Sequence, residues 1–155
     1  MTRRRIAIGV AAGIGSAVAI GGMVFLSAVF NYPLAIIPFA TSIVLVISSP
    51  ELRAAQPRAL IGGHIVSTFA GLAMVKMVGP QPWAAAFAVG VAVLAMVLTD
   101  TLHPPAGIDP LLIVSANLSW VFLIVPVLAG VLLLTVFALV WHRWIKRQAW
   151  PEQWL

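Results

Sequence analysis

The stretch His103-Pro104-Pro105-Ala106-Gly107, followed by Ile108-Asp109-Pro110, holds the densest chemistry in this chain of 155 residues. It places an imidazole and a carboxylate among prolines and small residues. An imidazole changes charge near neutral pH, so His103 is expected to donate to an anion or relay a proton. The structural alternative is a histidine that caps a helix and bonds a backbone carbonyl. Asp109 has three readings: chiefly an N-cap accepting free backbone N–H groups, otherwise a partner for His103 or His64, or a proton or cation carrier. Upstream, Pro38-Phe39-Ala40-Thr41-Ser42 sets two hydroxyls just past a proline. Proline suits the first turn of a helix because its missing N–H would be unpaired there. The exposed N–H groups of a helix start carry about half a positive charge. Two such starts facing each other, one after Pro38 and one after Pro105 or Pro110, would bind an anion without lysine or arginine. Ala40, Ala106 and Gly107 are small enough to let an ion reach the backbone. His64, after Gly62-Gly63, is expected foremost as a structural histidine and secondarily as a site residue.

Other chemistry is absent from the pattern. Two histidines and two aspartates far apart in sequence specify no metal site, and no cofactor motif, nucleotide loop or nucleophilic triad is visible. An enzyme is not expected. There is no cysteine, which removes thiol and disulfide chemistry.

The elements that must position these residues lie in lipid. Of the residues, 62% are hydrophobic and 8% charged, with mean hydropathy +1.08. A soluble domain carries about a quarter charged residues. Each segment must then satisfy its own backbone, and without polar–apolar alternation that means helices. The net charge of +5 is no nucleic-acid signal, because the basic residues sit at the ends and in one loop.

The pattern predicts an all-α, polytopic transmembrane bundle: four long spans and two short or broken helices in one domain, 1–155. The long spans are about Ile6–Phe30, Ala59–Val78, Trp83–Leu98 and Trp120–Trp141. The first is too long for a signal-peptide core. Asn31-Tyr32-Pro33 is expected as a turn before a segment over Leu34–Ser49. After Pro38 that segment has about eleven residues, roughly 16 Å, half of a ~30 Å hydrocarbon core. A second short helix is expected at about Pro110–Ala116. Gly9 and Gly13 have the GxxxG spacing of close helix contacts. Gln56 and Arg58 are expected as loop anchors, Lys76 to snorkel outward, and Asp100 to be exposed or to orient His103. Trp141, Trp144, Trp150 and Trp154 are expected in an interfacial belt and tail.

Arg3–Arg5, Arg53 with Arg58, and Arg143, Lys146 and Arg147 fall on one side only if both short segments count as crossings. The positive-inside rule then puts both termini in the cytoplasm, in the cell (inner) membrane. Pro38–Ser48 aligns without a gap with Pro105–Ser115. Two antiparallel repeats are therefore expected, about 6–78 and 83–143, with 144–155 a cytoplasmic or interfacial tail. Broken helices meeting near the midplane of inverted repeats are a transporter plan. Expected partners are a small inorganic anion, membrane lipid and, for so thin a bundle, a homo-oligomer.

His103-Pro104-Pro105-Ala106-Gly107, with Ala55-Gln56-Pro57-Arg58 and Gly62-Gly63-His64, resembles the HPP family of membrane proteins, in order and approximate spacing, from about Pro38 to Leu139. The family includes members implicated in nitrite transport in photosynthetic organisms. The resemblance thus implies membrane transport, with nitrite the leading substrate. One departure is Ile108-Asp109-Pro110, where the nitrite-linked members carry Ala-Thr after the glycine. A carboxylate stands where a hydroxyl is expected, whereas the aligned Ser42 keeps its hydroxyl.

Overall fold

The computed structural model describes residues 2–31 and 37–154. It is helical, with no strand among the described residues. The helices are α1 (Arg3–Phe30), α2 (Ile37–Ser48), α3 (Pro57–Val78), α4 (Pro82–Leu98), α5 (Asp109–Ser115) and α6 (Ala129–Val140). π-Helical turns at Leu123–Leu128 and Trp141–Ile145 extend α6 at both ends. The expected turn at Tyr32-Pro33 and the expected start of the second segment at Leu34 lie outside the described residues.

Among the described residues, three helices are long and apolar enough to cross a membrane: Arg3–Phe30, Pro57–Val78 and Leu123–Ile145. Four long spans were expected. The expected fourth is α4, whose 17 residues rise about 25 Å, short of a ~30 Å core. Pro82 and the polar Thr99-Asp100 limit it at either end. Large apolar side chains such as Met77, Leu98 and Trp144 are more than three-quarters exposed. Water does not tolerate such a surface, and lipid does.

Proline and glycine set the boundaries. Pro57 and Pro82 occupy first-turn positions of α3 and α4. Gly79 ends α3 at φ 80°. After α4 the chain turns at Asp100 (φ 58°), runs extended to His103 and winds into a 3₁₀ turn at Pro104–Ile108. The last span kinks at Val125 (φ −134°, ψ 116°), ahead of Pro126, which supplies no N–H to the ladder.

α3 is the central post. Ala84, Ala88, Ala92 and Met96 make a fully buried stripe on α4 at i, i+4 spacing, which brings the α3–α4 pair close. A second core gathers Phe39, Ile43, Val46 and Ile47 of α2 with Val131, Leu134 and Ala138 of α6, and with Trp141 and Trp150. Trp141 and Trp150 are therefore core residues, 6% and 1% exposed, and not members of an interfacial belt. Trp144 and Trp154 are exposed, as a belt requires.

α5 crosses α3 at Gly71. A Cβ there would lie 2.8 Å from the Pro110 Cα and 3.1 Å from the Ile113 Cδ1. A backbone carbon cannot swing aside as a side-chain tip can. Gly71→Ala is expected to cost about 1–3 kcal/mol by overpacking, read as a lower midpoint in detergent unfolding; an unchanged midpoint would mean that α5 sits further from α3.

Candidate functional site

Four polar side chains, from α2, α3 and the His103–Asp109 segment, meet inside this apolar bundle. Ser42, His64, His103 and Asp109 are all 0% exposed. Buried polar groups of this kind persist only if they bond one another. The Ser42 Oγ lies 2.9 Å from the His64 Nε2 and 2.9 Å from the His103 Nε2. It also lies 2.9 Å from the Pro38 carbonyl oxygen. The far nitrogen of His64, Nδ1, is 2.8 Å from the Asp109 Oδ2. The far nitrogen of His103, Nδ1, donates to the Ala54 carbonyl at 2.7 Å. One unbroken chain of polar atoms thus runs from Asp109 through His64, Ser42 and His103 to Ala54.

The surroundings hold the chain in place. The His64 ring lies against two others, tilted 30° to Phe39 at 5.1 Å and 53° to His103 at 5.2 Å between centroids. Thr68, one turn along α3, donates to the Asp109 Oδ2 at 3.3 Å, and Ser67 donates to the Ala106 carbonyl. A Cβ on Gly63 would lie 2.6 Å from the His103 Cβ and 2.9 Å from the Thr101 carbonyl oxygen. Glycine at 63 therefore lets the extended stretch before His103 lie directly on α3. The Asp109 Oδ1 is buried without a hydrogen-bond partner among the described residues.

The site residues expected from sequence divide into two groups. Pro38, Ser42, His64, His103, Ala106 and Asp109 come together. Ala40 and Thr41 are exposed on the opposite side of α2, where the Thr41 hydroxyl donates back to the Pro38 carbonyl at 3.0 Å. Pro104 is exposed, and Pro105 and Gly107 are partly so. Asp109 does not cap α5. It is the first helical residue, the N-cap is Ile108, and no side chain caps that end. The carboxylate turns to His64, its Oδ2 lying 2.8 Å from the Nδ1. Asp100 does not orient His103; it pairs with Arg53 and lies 4.0 Å from the Arg58 Nε. Ser67, Thr68 and the Ala54 carbonyl were missed. The signal for the first two was the run Gly63, His64, Ser67, Thr68, Gly71, one polar and small face of a helix at three- and four-residue spacing.

At one end of the bundle a cavity of about 300 Å³ is lined by Arg53, Ala54, Ala59, Val97, Asp100 and Leu102. A neighbouring cavity of about 260 Å³ joins Ile8 and Ala12 of α1 to Pro50, Glu51, Lys146 and Gln148. The start of α1, the α2–α3 loop and the C-terminal tail therefore share an end, and with them every basic group but Lys76. No cluster of three or more His, Cys, Asp or Glu side chains that could hold a metal occurs among the described residues.

Comparison with known proteins agrees with a membrane assignment. The model of a family described as "HPP, transmembrane region" matches residues 1–151. Two transmembrane proteins of Dictyostelium discoideum are similar. One is 35% identical over 124 residues, covering 75% of this chain and 40% of its own length. The other is 33% identical over 124 residues, covering 75% of this chain and 44% of its own. The chain thus spans less than half the length of these relatives. No solved structure matches.

Proposed function

The chain belongs to the HPP transmembrane family, and from that premise we propose that this multi-pass membrane protein is a transporter or channel for a small inorganic anion, a nitrite-like oxyanion first. The observation that carries this reading is the convergence of two imidazole Nε2 atoms on one oxygen, each at 2.9 Å, inside an apolar bundle. Intramembrane ionisable residues are expensive and accompany substrate or proton paths. The oxygen they grip is the Ser42 hydroxyl, and an oxyanion oxygen has the acceptor chemistry to take its place. In this reading His64 donates from Nε2, and His103 donates from Nε2 as the imidazolium, its Nδ1 hydrogen being held by the Ala54 carbonyl. The α5 helix start contributes less than its sequence implied, because the Asp109 carboxylate stands there. Clustering of the basic residues at one end supports both termini facing the cytoplasm of a cell membrane.

The test is nitrite uptake into vesicles reconstituted with the purified protein, above that of empty vesicles. His103→Ala is expected to cut the protein-dependent rate on the order of 10²-fold, as removal of a positioned acid–base group does, while circular dichroism stays unchanged. Unchanged uptake would remove His103 from the path. No uptake across a panel of small anions and cations would favour a different class, a membrane subunit that binds a partner or lipid without transporting.

A further inference from the structure

We infer that Asp109, His64, Ser42 and His103 form a proton relay, so that solute passage is linked to proton movement; this deepens the permease reading above and rests on it for the solute. The argument starts at the Ala54 end. A carbonyl oxygen only accepts, so the His103 Nδ1 carries hydrogen. In neutral imidazole the other nitrogen then bears none, and the His103 Nε2 is an acceptor. The one Ser42 hydrogen has two acceptors in reach, the Pro38 carbonyl and this nitrogen, and the relay uses the rotamer that points it at His103. A hydroxyl has one hydrogen, so Ser42 faces His64 with a lone pair, and the His64 Nε2 must donate. One further proton lies between the His64 Nδ1 and the Asp109 Oδ2. With the Ser42 hydrogen on His103, the hydrogen bonds from the His64 Nε2 through Ser42 and His103 to Ala54 all point the same way.

A chain so oriented moves one proton by a concerted shift. With the shared proton on the His64 Nδ1, the Nε2–H bond breaks and an Oγ–H bond forms on Ser42. The former Oγ–H bond breaks and an Nε2–H bond forms on His103. The product is a His103 imidazolium and a neutral His64 whose Nδ1–H faces the Asp109 carboxylate. Charge and hydrogen count are conserved. The hydroxyl must then turn before the next proton can pass, and the Pro38 carbonyl at 2.9 Å offers an acceptor during that turn.

The His103 end of the chain reaches a cavity. His103 abuts Ala54, which lines the cavity of about 300 Å³ beside Arg53 and Asp100. At the other end the Asp109 Oδ1 is buried without a hydrogen-bond partner among the described residues, and so has a free site to accept a proton-bearing group. The groups facing the chain are Phe39 from α2, Thr68 and Ser67 from α3, and the Ala106 backbone. None of these titrates; among the described residues the charged groups at hand are Arg53 and Asp100, paired with each other at the Ala54 cavity.

The experiment reads lumenal pH with an entrapped dye in vesicles bearing the full chain, driven by a nitrite gradient in one arm and by a potassium–valinomycin potential without nitrite in the other. Protein-dependent proton entry in either arm is expected. It should fall on the order of 10²-fold in Ser42→Ala, return in Ser42→Thr, which keeps the hydroxyl, and slow in D₂O for the unaltered protein. Absence of protein-dependent proton entry in both arms, or entry indifferent to Ser42→Ala, overturns the relay. Nitrite uptake without proton entry overturns the relay and leaves the permease. Proton entry without nitrite uptake supports the relay and removes the anion. The D₂O measurement needs no variant, so the relay stays testable if Ser42→Ala fails to fold.

Discussion

Asp109→Ala is expected to lower the unfolding free energy by about 3–5 kcal/mol, the cost of removing one member of a buried ionisable pair. Asp109 and His64 are both 0% exposed, and their 2.8 Å contact is the only hydrogen bond available to the His64 Nδ1 among the described residues. Truncation leaves that nitrogen dry and unpaired, and Thr68 loses its acceptor as well. Asp109→Asn keeps the shape and one acceptor, so it should cost less, about 1–3 kcal/mol. A paired change distinguishes a dry pair from a hydrated one. His64→Leu with Asp109→Leu removes both polar groups together, and an apolar pair of similar volume is often neutral or stabilising. The double variant should therefore lose much less than the sum of the single ones. The measurement is SDS-driven unfolding in mixed micelles, followed by circular dichroism. A loss for Asp109→Ala within about 1 kcal/mol, the size of an exposed pair, would place water at this contact and sink the argument.

How much of this was legible beforehand depends on whether a residue's partner lies on its own element. Helices and lipid as solvent follow from composition, and the choice of His103, Ser42 and Asp109 follows from residue type; the three do fall together inside the bundle. The errors within α2 are matters of phase. Ser42 and Phe39 are three residues apart and face inward, so Ala40 and Thr41 between them must face outward. The 3.6-residue turn, not adjacency in sequence, decides which of these residues share a face. From its position along α3, His64 is expected near an end and not at the middle of a polar cluster. What places it in the centre is the loop after α4, which runs extended over Gly63 and brings His103 to the same level. No local pattern encodes that approach. Asp109 was read as a cap because a carboxylate at a helix start usually is one, and only the tertiary position of His64 decides otherwise. The last-span tryptophans illustrate the same limit: Trp144 and Trp154 sit where composition puts them, while Trp150 is claimed by packing.

Trp150→Ala is expected to cost about 3–5 kcal/mol, the range for emptying a buried large aromatic site, although the residue lies past the last span. Trp150 is 1% exposed and belongs to the core that includes Phe39 and Trp141. Its ring sits 5.7 Å from that of His142. The tail is also tied down through its backbone. Arg143 donates from Nε to the Trp150 carbonyl at 3.0 Å, and the Gln56 Oε1 accepts from the Glu152 and Gln153 amides at 2.9 and 3.3 Å. Gln56 in turn donates to the Pro50 carbonyl at 2.7 Å. The tail therefore straps the α2–α3 loop, the loop that presents the Ala54 carbonyl to His103. Trp154→Ala is the control, since Trp154 is 52% exposed and touches no core cluster; its loss should stay near the ±0.5 kcal/mol typical of surface changes. Trypsin supplies a second readout. Lys146 and Arg147 lie just ahead of the anchored tryptophan, so the unaltered protein should resist cleavage there and Trp150→Ala should be cut rapidly. Equal losses for Trp150→Ala and Trp154→Ala would show that the tail is not anchored by its indole. If it is, releasing it frees the loop at the Ala54 end of the polar chain, and lumenal proton entry should fall in Trp150→Ala without any change to His103, Ser42, His64 or Asp109.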